Sequence, residues 1–100
     1  MKDNVVKDKS LEFAVRIVNL YKFLVNEQKE FVMSKQILRS GTSIGANIRE
    51  AEQAQSRADF INKLNIALKE ANETEYWLEL LIRTEYILSL IHISEPTRPI

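Results

Sequence analysis

The residues of this chain best spaced for chemistry are Gly41 and Gly45, set in RSGTSIGANIREAEQAQSRADF, Arg39 to Phe60. Two glycines four residues apart among small polar residues can hold a phosphate on backbone amides, or they can let a neighbouring helix come close. A phosphate loop of the form G-x-x-x-x-G-K-[ST] needs a lysine and a hydroxyl directly after its second glycine. Here the glycines stand one residue too close, and Ala46-Asn47 follows them. The dinucleotide signature G-x-G-x-x-G fails too, because no strand precedes it. On a helix each glycine costs about 1 kcal/mol against alanine, and the close approach of another backbone is the offset. Ser40, Gly41, Ser43, Gly45 and Ala46 would then leave a low, smooth packing groove, within a bundle or between subunits. Arg39, Arg49 and Glu50 exclude the membrane setting in which G-x-x-x-G is best known.

Other chemistry is poorly supplied. A carboxylate-bridged metal pair needs Glu-x-x-His motifs on facing helices, and the single histidine, His92, has Ser89 three residues before it. Helical-bundle ribonucleases often use an Arg-x(4–6)-His pair; here eight residues separate Arg83 from His92 and no second histidine exists. Serines are numerous but lack a base. The absence of cysteine removes disulfides, zinc-thiolate sites and thiol nucleophiles. No catalytic residue, metal-ligand set, cofactor site or small-molecule substrate is expected, and the chain reads as a non-enzyme.

With 45% apolar residues in 100, the sequence supports one domain with a real core. No apolar run approaches the length of a membrane span, and MKDNVVKDKS leads into no signal-type segment, so a cytoplasmic setting is expected. Lys plus Arg equals Asp plus Glu, 14 against 14, which leaves no overall field for nucleic acid. The distribution is uneven: residues 1–40 carry eight bases and five acids, residues 41–100 six bases and nine acids.

Both prolines lie at 96 and 99, and the chain has just two glycines, which describes an all-α protein. After a flexible stretch 1–9, Ser10 is a plausible N-cap for a helix over about 10–26, where Leu11, Ala14, Ile17, Val18, Tyr21, Leu24 and Val25 recur at helical steps. NEQKEF is a polar connection. Ser34 caps a second helix, about 34–55, with Met33 and Leu38 spaced as a hydrophobic staple. Its seam, Ile37, Gly41, Ile44, Ile48, Ala51 and Gln55, runs straight through both glycines. Ser56 and Asp59 resemble a capping box opening a third helix over 57–83, whose face is Phe60, Leu64, Ala67, Leu68, Ala71, Leu78, Leu81 and Ile82. Long helices with short connections predict an antiparallel up-and-down bundle over 10–91. YILSLIHISEPTRPI is too short and proline-bound for a fourth helix.

On this frame Ser40, Gly41, Ser43, Ile44, Gly45 and Ile48 are the helix-packing or oligomer residues. Asn47, Glu50 and Arg57 form a structural polar group, with Glu50 reaching Arg57 in a buried or half-buried pair that fixes the turn. Lys22, Lys29, Lys35, Arg39 and Arg49 are the candidate nucleic-acid contacts. Each alone reads as a solvated charge, but Lys35 and Arg39 share a face, and copies arranged in a ring would add their fields. Tyr76 and Trp77 could stack bases or cover a neighbouring helix. Glu70, Glu73, Glu75 and Glu79 read as a solvated face, with Lys69 and Glu73 as an i, i+4 pair, or as a docking strip for a basic partner.

The segment LRSGTSIGANIREAEQAQSRADFINKLNIALKEANETEYWLELL, 38–81, strongly resembles the family called four helix bundle protein, or 23S rRNA intervening-sequence protein. Ser43, Ile44, Ala46, Asn47, Ile48, Glu50, Ser56, Arg57, Phe60, Ala67, Glu73 and Leu78 occupy the positions of its recurring core, and FAVRIVNLYKFL is compatible with its first helix. The resemblance implies a left-handed four-helix bundle assembled as a homopentameric ring, with no enzymatic activity. It also implies RNA or DNA as a partner, or a reverse transcriptase, as for the similar accessory variability protein of diversity-generating retroelements. A pure protein-interaction module is the alternative. Relatives have a T-G-Y turn and a fourth helix after the third. Here Glu85 stands at the glycine position and IHISEPTRPI replaces the helix, so 92–100 reads as a non-native tail, like adapter sequence joined to a truncated frame. An apolar groove along helices 1 and 3 is then expected to lie uncovered, inviting self-association.

Overall fold

The computed structural model describes residues 5–88, which form three helices, α1 (Val5–Asn26), α2 (Met33–Glu52) and α3 (Arg57–Arg83). No strand occurs among the described residues. The sequence from 92 to 100, and with it the question of a fourth helix, lies outside them.

Local chemistry sets the helix ends. The bounds of α3 coincide with the expected ones, because Ser56 Oγ accepts the Asp59 amide at 3.1 Å. The return bond of the box differs: the Asp59 carboxylate accepts the amide of Gln55 (3.4 Å) rather than that of Ser56. That bond draws Gln55 out of the ladder, and α2 stops at Glu52, three residues short of the expected end. At the other end of α2 the expected Ser34 cap is wrong. Glu30 does the capping: its carboxylate accepts the amides of Val32 (3.2 Å), Met33 (2.9 Å) and Ser34 (2.7 Å). An anion reaches three orphan amides at once and complements the helix dipole, which a neutral hydroxyl cannot match. Ser34 is fully buried, and its hydroxyl has no hydrogen-bond partner among the described residues.

Helix α1 begins at Val5, five residues before Ser10. The Ser10 hydroxyl donates to the Lys7 carbonyl (2.8 Å) inside the helix, so it caps nothing and residues 5–9 are not a loose extension. These residues are two valines followed by three charges, which local pattern alone reads as a tail.

α2 is the shared partner. Its contacts descend along each neighbour as α2 ascends: Gly41 faces Ile17 and Gly45 faces Ser10 on α1, while Ser40 meets Thr74 and Glu50 meets Lys63 on α3. No Cα of α1 comes within 8 Å of one in α3. The core is gathered where α1 ends and α2 begins. Ile17, Leu20, Leu24, Ile37, Leu78, Leu81 and Ile87 form it, flanked by Phe13, Phe23, Met33, Leu38, Trp77, Ile82 and Tyr86. After α3 the chain turns through Glu85 at φ 69°, a left-handed conformation that favours glycine, and thereby delivers Ile87 into the core.

Candidate functional site

The glycine seam is regular helix throughout, with neither glycine at positive φ. An added Cβ on Gly41 would sit 2.8 and 2.9 Å from the two branches of the Ile17 side chain. At Gly45 it would meet Ser10 Oγ at 3.2 Å. The glycines are therefore where α1 lies directly on the α2 backbone, and the groove they make is filled from within the same chain. Ser40 is likewise fully buried, its hydroxyl 2.8 Å from Thr74 Oγ1, which also lies 2.8 Å from the Glu70 carbonyl. Ser43 turns its hydroxyl back to the Arg39 carbonyl (2.7 Å), and Asn47 Nδ2 donates to the Ser43 carbonyl (2.9 Å), so both brace their own helix. Ile44 and Ile48 are only half-buried.

The expected Glu50–Arg57 pair is replaced. Glu50 is exposed and bonds Lys63 at 2.9 Å, holding that ammonium above its ordinary range, while Arg57 is exposed. Lys63 lies a turn and a half into α3, where a side chain can reach back to α2; Arg57, at the helix start, is carried past it.

The candidate cations divide. Lys22, Lys29 and Lys35 are exposed and surround the α1–α2 connection, with Lys29 itself in a left-handed conformation at φ 55°. Arg49 is exposed farther along α2. Arg39 is engaged: it pairs with Glu70 (3.3 Å) and with Glu73, and bonds Gln36 (3.2 Å). Glu73 also accepts the Trp77 indole N–H at 2.9 Å. That indole bond first, and Arg39 beside it, hold the Glu73 carboxyl below the ordinary carboxylate range against a smaller opposing effect of partial burial. In place of the expected Lys69–Glu73 pair, Arg39 of α2 bridges Glu70 and Glu73, one terminal nitrogen on each carboxylate. Trp77 flanks the core and meets Tyr76 edge-on, with ring centroids 5.1 Å apart; Tyr76 is 58% exposed.

Two apolar surfaces lie open, the first not foreseen in the sequence and the second where an uncovered groove along helices 1 and 3 is expected. Phe31 and Val32, in the α1–α2 connection, are 52% and 72% exposed. The second is an apolar crevice of about 640 Å³ between the first turns of α1 and α3, floored by Ile48 and Ala51 and walled by Val6, Phe60 and Leu64. A second hollow of about 440 Å³ continues it past Ile44 and Phe13, sharing Val6 and Ile48. Phe60, Leu64 and Leu68, expected on the core face of α3, are exposed along this side. Among the described residues no three His, Cys, Asp or Glu side chains group as a metal site would, and no helix is long and apolar enough to cross a membrane.

These features define a small all-helical packing protein, in which titratable side chains tie helices together and an apolar crevice stays open between two of them. The family model of the 23S rRNA-intervening sequence protein matches residues 2–93, and the chain belongs to that family. It is 91% identical to a crystal structure of a protein of unknown function from the S23 ribosomal protein family of Bacteroides thetaiotaomicron VPI-5482. That match covers 96% of this chain and 85% of the other, with a TM-score of 0.87. No match is found among curated proteins.

Proposed function

We propose that this chain is a non-enzymatic assembly protein of the cytoplasm, an antiparallel up-and-down bundle of four-helix type whose copies form a ring-like homo-oligomer, pentameric as its family resemblance implies. In this reading the assembly holds RNA or DNA, or an enzyme that acts on nucleic acid such as a reverse transcriptase. The observation that carries it is the open crevice: Val6, Ile48, Phe60 and Leu64 present an apolar surface that a solitary domain would close. Supporting it are the exposed lysines Lys22, Lys29 and Lys35 at one end, whose fields would add in a ring. Multi-angle light scattering tests the assembly, with an oligomer expected at micromolar concentration and a monomer at all concentrations contradicting it. Anisotropy titration of labelled RNA at low salt tests the partner; no binding to RNA or DNA rejects the nucleic-acid half.

A pure protein-interaction module is the second reading, and the Arg39 network favours it. Glu70 and Glu73 already neutralise the arginine best placed to join Lys35 on a basic face. A protein partner recovered equally with and without nuclease treatment would select this reading.

A further inference from the structure

We propose that the α1–α2 connection is a contact for single-stranded RNA, with an unpaired base stacked on Phe31 and the adjoining phosphates held by Lys29 and Lys35. This rests on the nucleic-acid reading above and names the surface that carries it. Phe31 and Val32 are exposed side by side in a connection whose backbone is hydrogen-bonded on both sides of Phe31. The Glu30 amide donates to the Leu24 carbonyl (2.8 Å), the Glu30 carboxylate takes three amides, and Gln28 Nε2 reaches the Tyr86 carbonyl (3.2 Å). A backbone braced in this way presents the ring with less segment to order when a ligand binds.

The charges point the same way. Lys29 and Lys35 flank the ring in sequence and are exposed, and Lys22 lies one turn before the end of α1. The acid between the two flanking lysines, Glu30, is 7% exposed and turned onto backbone amides, so its charge does not face outward with theirs. Glu27 is the remaining exposed acid of the connection. An aromatic face beside ammonium groups matches a nucleotide with its base unstacked and its phosphates free, as in loops and single strands, and does not match the stacked bases of a duplex. Two apolar side chains are too few to anchor a membrane surface.

The test is anisotropy titration of a labelled single-stranded oligoribonucleotide against the full chain, repeated with Phe31→Ala, Phe31→Tyr, Lys29→Ala, Lys35→Ala and Tyr76→Ala. Phe31→Ala is expected to weaken binding roughly five- to a hundred-fold, the range of one base–aromatic stack, while Phe31→Tyr retains it. Each lysine variant is expected to lower the slope of log affinity on log salt by about 0.7. Circular dichroism checks that the variants keep their helices. Wild-type binding unchanged by Phe31→Ala, or lost on Tyr76→Ala instead, overturns the proposal and leaves the nucleic-acid reading intact. A wild type that binds no RNA overturns both. Phe31-dependent sedimentation with phosphatidylserine vesicles, beside RNA binding that ignores Phe31, reassigns the loop to a membrane surface and overturns it too.

Discussion

The two ends of this molecule are built to different standards. Where α1 gives way to α2, Ile17, Leu24, Ile37 and Leu81 are fully buried, and Ile87 is brought in from beyond α3 to complete them. At the opposite end, Val5, Val6, Phe60, Ile61 and Leu64 are also large and apolar, yet between 38% and 62% of each remains exposed. Composition cannot account for that. The closed end has three helices and a returning chain converging on one point, whereas at the open end α2 alone lies between α1 and α3. A hydrophobic stripe records that a face is meant to be covered; the number of elements meeting there decides whether one chain can cover it.

The largest expected effect contrasts the two ends directly. Leu81→Ala should destabilise the chain by about 2–5 kcal/mol, because it opens a cavity in a fully buried site. Leu64→Ala should cost less, about 1 kcal/mol in a monomer, because 38% of its surface is already in water and its removal leaves no closed cavity. Urea unfolding at low protein concentration measures both, and equal losses would erase the distinction between the ends. Raising the concentration sharpens it: if copies cover the crevice, Leu64→Ala becomes more costly as they associate.

The glycines divide along the same axis with smaller effects. Gly41→Ala places its methyl under 3 Å from both branches of the fully buried Ile17, so it should lose about 1–3 kcal/mol despite the gain in helix propensity. Gly45→Ala meets Ser10 Oγ at 3.2 Å and the Ser10 Cβ and carbonyl at an ordinary 3.5 Å, so it should change stability by less than about 0.5 kcal/mol as propensity and mild crowding offset. Thermal melts of the two variants decide whether close approach is confined to the closed end.

The smallest effect is in the pH dependence, and its sign differs between the ion pairs of the two halves. Glu73 is held below its unfolded pKa by Trp77 and Arg39, so its contribution is present above the ordinary carboxylate range and disappears as pH falls through the lowered value. Lys63 is held above its unfolded pKa by Glu50, so its contribution is complete below the ordinary lysine value and disappears as pH rises through the raised one. Glu73→Gln should flatten the acid limb of a stability–pH curve, and Lys63→Met the alkaline limb; the reverse pattern would show the two networks wrongly assigned.

Much of this was legible in the sequence, and the reasons for the gaps are physical. The Ser56 cap and the full extent of α3 follow from bonds between residues three apart, which a linear pattern contains. The same is true of the seam through Gly41 and Gly45, since only a helix neighbour explains two glycines at that step. The Glu30 cap was missed because the residue precedes its helix by three and looks like one more charge in a polar connection. Sequence proximity across the turn points Glu50 to Arg57, whereas the partner that matters is set by which way α3 returns. Phe60, Leu64 and Leu68 were placed inside because periodicity names a face without naming what stands opposite it.

The lock between Ile17 and Gly41 has one more consequence. The two positions behave as a single inherited unit: volume added at one must first be surrendered at the other. A drifting lineage exchanges that glycine for alanine without the clash only after the isoleucine is cut back to alanine, because valine keeps both contacting γ carbons; the order in which substitutions accumulate there is set by steric exclusion.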